Sequence, residues 1–116
     1  MQSDSMVIFT RTYDFISWLI PRTMSFPRSQ RFVVTQRLQD AALSFQEYLI
    51  EANRRRGRAR LERLQMADAA LDKSRLYLRL AVRWAWLSDS QYLHVSKMVK
   101  ELGDLLGGWI KQTRGT

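Results

Sequence analysis

From Leu64 onward, apolar or small residues recur at alternating steps of three and four: Leu64, Ala67, Leu71, Ser74, Leu78, Ala81 and Ala85. Such spacing draws one seam along a helix. A second seam precedes it, again in threes and fours: Val34, Leu38, Ala41, Phe45, Tyr48/Leu49 and Ala52. Only Asn53-Arg54-Arg55-Arg56-Gly57-Arg58-Ala59-Arg60 separates them. Asn and Gly are the residues that tolerate a left-handed helix stop. A connection this short returns the second helix antiparallel to the first. Both prolines fall at positions 21 and 27, so the chain beyond them is almost free of strong breakers.

Two further helices flank this pair. Phe9, Tyr13, Ile16, Leu19 and Ile20 follow helical spacing, and Pro21 is expected to kink or end that helix near Ile20. Ser25-Phe26-Pro27 opens the next helix, with Pro27 suited to a first turn. Ser88 and Gln91 have the spacing of a capping box. After them Leu93, Val95, Met98, Val99, Leu102, Leu105, Leu106, Trp109 and Ile110 form a wide stripe. Gly103, Gly107 and Gly108 interrupt it at ~1 kcal/mol each, and close backbone approach to a neighbouring helix is the expected compensation. The expected fold is all-α: one domain spanning 1–116, an antiparallel up-down-up-down four-helix bundle with helices over about 8–24, 28–56, 58–87 and 89–112. In that arrangement Trp18 and Trp109 are placed near the same end.

Catalysis finds little to work with. There is no cysteine and one histidine, His94, so thiol chemistry, most zinc sites and most triads drop out. Di-metal bundles need Glu-x-x-His pairs, and His94 follows Gln91, not a glutamate. The glycines lie inside an amphipathic helix, not in a phosphate-binding loop. A non-enzyme without metal or cofactor is expected. The first residues lack a basic leader pattern. No apolar run nears the ~20 residues of a membrane span, and the cytoplasm is the expected location.

Binding is better supplied. Lysine plus arginine number 19 against 11 acids, giving a net charge of +8, and arginine dominates. Arginine is the better bidentate phosphate ligand, so a polyanion is the expected partner. Arg75, Arg79 and Arg83 recur every four residues and make a basic ridge beside the seam. Arg54, Arg55, Arg56, Arg58 and Arg60 crowd the turn. Both clusters point to nucleic-acid backbone, with salt-sensitive and weakly sequence-selective binding. Asp68 and Asp72 form a like-charge pair, so one of them is expected to have a partner on another helix. Leu76, Leu80, Trp84 and Leu87 lie opposite the seam and are the expected oligomer interface.

Several stretches together resemble a known family. They are Phe26-Pro27-Arg28-Ser29-Gln30-Arg31-Phe32, Gln36-Arg37-Leu38-Gln39-Asp40-Ala41-Ala42-Leu43, Glu51-Ala52-Asn53, the run from Ala67-Asp68-Ala69-Ala70-Leu71 to Leu80-Ala81, and Glu101-Leu102-Gly103 followed by Leu105-Leu106-Gly107-Gly108-Trp109. They are similar to the accessory variability determinant (Avd) proteins of diversity-generating retroelements. Those proteins are grouped with four-helix bundles encoded in 23S ribosomal RNA intervening sequences. The resemblance implies a homopentameric, barrel-like ring and association with a reverse transcriptase and its template RNA or cDNA. It implies a role in mutagenic retrohoming. On matching positions it carries over Arg28, Arg31, Arg75, Arg79 and Arg83 as the basic set. The alternative is a structural or adaptor oligomer of the intervening-sequence group, without a reverse transcriptase partner.

Overall fold

The computed structural model describes residues 3–115. Four helices account for most of them, and no strand occurs among the described residues: α1 (Ser3–Thr23), α2 (Gln36–Asn53), α3 (Gly57–Arg83) and α4 (Asp89–Arg114). α1 lies against α2 and α4, and α3 lies against the same two, so the four enclose one core. The body measures 46 × 25 × 19 Å.

Both central seams are where their spacing places them. Val34, Leu38, Ala41, Phe45, Leu49 and Ala52 are buried, as are Leu64, Ala67, Leu71, Ser74, Leu78 and Ala81. Ser74 enters the core because its hydroxyl donates to the Ala70 carbonyl at 3.1 Å, satisfying the polar atom. α1 differs from expectation by a small rotation. Its inner face is Ile8, Thr12, Phe15 and Leu19, while Tyr13 is 70% exposed. Thr12 Oγ1 donates to the Ile8 carbonyl at 2.6 Å, which lets a residue that reads as polar take a core position. Leu102, Leu106, Val95, Val99 and Trp109 supply the α4 wall.

Element ends show where local chemistry overrides the pattern. α1 starts before residue 8 and passes through Pro21 to Thr23. The carbonyl that Pro21 leaves unpaired belongs to exposed Ser17, and Arg22 Nη1 covers the next one, on Trp18, at 2.9 Å. The expected long second helix is broken at its start. Arg28–Gln30 is a 3₁₀ turn and Arg31–Thr35 a π turn before α2 begins. Phe26 is buried against Trp86, ring centroids 5.4 Å apart.

α3 stops at Arg83, short of the expected residue 87. Ala85 has φ of 62° and stands in the open, outside the seam it was assigned to. Trp86 N–H donates to the Ala81 carbonyl at 2.8 Å and Ala85 N–H to Val82 at 3.0 Å, the paired bonds of a Schellman stop. α4 opens with the capping box its sequence announces: Gln91 N–H to Ser88 Oγ at 3.1 Å and Ser88 N–H to Gln91 Oε1 at 2.9 Å.

Candidate nucleic-acid interface

The fold distributes the arginines over two ends and one flank. The turn between α2 and α3 carries Arg54, Arg55, Arg56, Arg58 and Arg60. α3 separates that turn from Arg83 by 25 residues or ~38 Å of helix, so turn and ridge are distinct surfaces. Within the turn the side chains divide. Arg60 Nε donates to the Ala52 carbonyl at 3.0 Å, and its guanidinium sits 5.7 Å from the Trp109 ring. Arg55 Nη1 donates to the Glu51 carbonyl at 2.9 Å. These two cap the end of α2, where carbonyls lack helical partners. Arg54, Arg56 and Arg58 are exposed and make no side-chain hydrogen bond or ion pair among the described residues. Arg63, one turn further along α3, has its Nε 2.8 Å from Glu51 Oε1 on α2.

The ridge is likewise uneven. Arg75 Nη1 lies 2.7 Å from Asp72 Oδ1 on the same helix. Arg79 and Arg83 are exposed and unpartnered among the described residues. Among the described residues neither Asp68 nor Asp72 has the expected partner on another helix: Asp72 takes Arg75 one turn on, and Asp68 faces solvent. Asp40 lines a surface groove with Arg37, Lys73 and Tyr77, away from the ridge. Arg28 and Arg31 are exposed, and Phe26 fixes their segment beside Trp86, at the same end of the bundle as Arg83.

Beside the ridge runs a groove of about 260 Å³ between α3 and α4. Arg75, Arg79 and Lys100 border it, Tyr92 and Ser96 line its α4 side, and Leu78 and Val99 form its apolar lining. The α4 members escaped the sequence reading, though a signal was there: Tyr92, Ser96 and Lys100 recur every four residues, as the three ridge arginines do. Gly103 extends this line. A β-carbon there would lie 2.6 Å from Arg75 Nη2, so the expected close approach is to a side chain. Gly107 and Gly108 would have nothing within 4 Å of an added β-carbon, and the expected approach at these two is not found among the described residues.

Of the four expected oligomer contacts, Leu76 is 44% and Trp84 49% exposed, and Leu80 is half-buried. Leu87 is corrected: at 2% exposure it belongs to the core of the chain itself and offers no surface to a second copy. It turned inward because the Schellman stop redirects the chain after Arg83. Trp18 and Trp109 do not share an end. Trp18 packs on His94 at 5.3 Å, near the start of α4, and Trp109 meets Phe9 at 6.2 Å near its finish. No group of three His, Cys, Asp or Glu side chains with metal-holding geometry occurs among the described residues. None of the described helices is long and apolar enough to cross a membrane.

These features define an all-helical, four-helix protein with its cationic side chains in rows on the outside. A profile of the bAvd-like family matches residues 6–113, and the chain belongs to that family. This agrees with the resemblance that the Phe26-Pro27-Arg28 and Leu106-Gly107-Gly108-Trp109 stretches carry. The fold is similar to that of a solved protein from Bacteroides thetaiotaomicron, described as of unknown function and from the S23 ribosomal protein family. The TM-score is 0.84 at 19% identity, covering 93% of this chain and 98% of that one. No curated protein matches the chain.

Proposed function

We propose that this protein is a non-catalytic accessory protein that binds nucleic acid through its phosphates. In this reading it associates with a retroelement reverse transcriptase and the template RNA or cDNA, and so supports mutagenic retrohoming. It works in the cytoplasm as a homopentameric ring of antiparallel up-down-up-down bundles. Membership of the bAvd-like family supports the setting. The observation that carries the binding is the pair Arg79 and Arg83, one helical turn apart, exposed and without a protein partner among the described residues. Cations held this way are available to phosphate oxygens at no cost in broken ion pairs.

Filter binding to structured RNA and to duplex DNA at ~50 and ~200 mM salt tests this. Affinity that falls steeply with salt is expected. Affinity absent at low salt, or indifferent to salt, overturns phosphate binding. Co-purification with a retroelement reverse transcriptase tests the partner.

A second reading is a structural or adaptor oligomer without a reverse transcriptase. The exposed apolar pair Leu76 and Trp84 favours assembly under either reading. Sedimentation separates them from a simple monomer: a single species at the 13.7 kDa chain mass at micromolar concentration removes the ring.

A further inference from the structure

The groove between α3 and α4 has a composition that phosphate binding alone does not call for. Cations border it at Arg75, Arg79 and Lys100, yet its lining is apolar at Leu78 and Val99 and aromatic at half-buried Tyr92. A duplex presents phosphates outward and keeps its bases stacked within. It would use the cations and leave the apolar lining empty. An unpaired nucleotide brings both an anion and a flat apolar ring. From this the geometry points to a slot for one unpaired base of a single strand, with the flanking phosphates on Arg79 and Lys100.

Size agrees. At about 260 Å³ the groove exceeds the ~150 Å³ cavity that accepts a benzene ring, and it is below the range typical of larger ligands. Tyr92 offers a ring face or edge, and base–aromatic contact tolerates any base. Ser96 places a hydroxyl in the slot that both donates and accepts. Charge agrees as well. Among the described residues Arg79 has no partner, and Lys100 has only exposed Asp104 one turn on, at 2.9 Å, a pair a phosphate readily displaces. Along α3, Arg79 and Arg83 are ~6 Å apart, a step that suits successive phosphates of an extended strand. The slot thus selects single-stranded RNA or DNA over duplex. This rests on the phosphate-binding reading above.

The test compares an unstructured single-stranded RNA of about 16 nucleotides with its duplex, by fluorescence anisotropy at one low salt concentration. The wild-type chain is expected to prefer the single strand. Ser96→Trp fills the slot while leaving every cation in place. It is expected to lower single-strand affinity about tenfold and to leave duplex affinity and its salt slope unchanged. Circular dichroism checks that the variant is helical. Tyr92→Ala, which removes the ring without adding bulk, gives the same selective loss where Ser96→Trp does not fold. A strand carrying 2-aminopurine reports the base directly: its emission changes on binding the wild-type chain and not on binding Tyr92→Ala. Equal affinity for both forms, or an equal loss for both in the variants, overturns the slot and leaves phosphate binding standing. Failure of both forms to bind the wild-type chain at low salt overturns phosphate binding, and the slot with it.

Discussion

The Arg75 guanidinium lies across the backbone of Gly103, with Nη2 2.6 Å from where a β-carbon on that residue would stand. A helix surface without a side chain is what lets an α3 arginine rest on α4. The atom that would have to move is the far end of a flexible side chain, so the obstruction is cheaply relieved. Gly103→Ala is therefore expected to hold or raise stability, by up to ~1 kcal/mol in helix propensity, while lifting Arg75 from the groove edge. Urea denaturation checks the first effect and RNA affinity the second, which should fall severalfold.

Gly107 and Gly108 pose the opposite case, because an added β-carbon at either meets open space. Gly107→Ala and Gly108→Ala should each stabilise the isolated chain by ~1 kcal/mol. If either substitution shifts sedimentation towards smaller species while the chain unfolds at higher denaturant, the glycine backbone is meeting another copy.

Ala85 carries a positive φ of 62° at the end of α3, where glycine is the usual residue. Ala85→Gly should raise stability by ~1 kcal/mol, since the left-handed conformation costs an L-residue about that much. Ala85→Val should lower it by more. A thermal melt that fails to separate the two variants refutes the Schellman assignment.

Arg60 and Arg54 are both turn arginines but have different work. Arg60→Ala removes a charged donor from the Ala52 carbonyl and a cation from the Trp109 ring. Its expected cost is ~1–2 kcal/mol, reduced from a buried bond because the site is partly wet. Arg54→Ala should change stability by less than ~0.5 kcal/mol, and any loss it causes should appear in nucleic-acid affinity. Chemical denaturation of the two variants side by side decides it.

Thr35 closes the π turn buried, and its Oγ1 has no hydrogen-bond partner among the described residues. Thr35→Val keeps the shape and removes the unsatisfied hydroxyl. A gain of ~1 kcal/mol in the denaturation midpoint analysis is expected. A loss of similar size would mean the hydroxyl is hydrogen-bonded in solution.

Charge reversal at Arg79 and Arg83 should leave helicity intact and weaken nucleic-acid binding. It should also flatten the dependence of log affinity on log salt by about one unit per lost phosphate contact. A large loss of helical signal would instead make these residues structural.

The sequence by itself determined the helical class, the two central seams, the turn between them and the α4 capping box. Each depends on side chains within four residues of one another, and helical periodicity records those directly. On the inner face of α1 it placed Leu19 but missed Ile8, Thr12 and Phe15, because Thr12 reads as polar until its hydroxyl has bonded back to Ile8. It also placed Leu87 and Ala85 wrongly, since a left-handed stop at an alanine leaves almost no trace in composition. The arginines show the divide most clearly. Their number and spacing are legible along the chain, but which ones cap α2, which meet Asp72 and which stand free depends on groups brought together by packing. Only the tertiary structure could set Tyr92, Ser96 and Lys100 across a groove from Arg75 and Arg79. Two helices have to pack before a row on each becomes the two walls of one site.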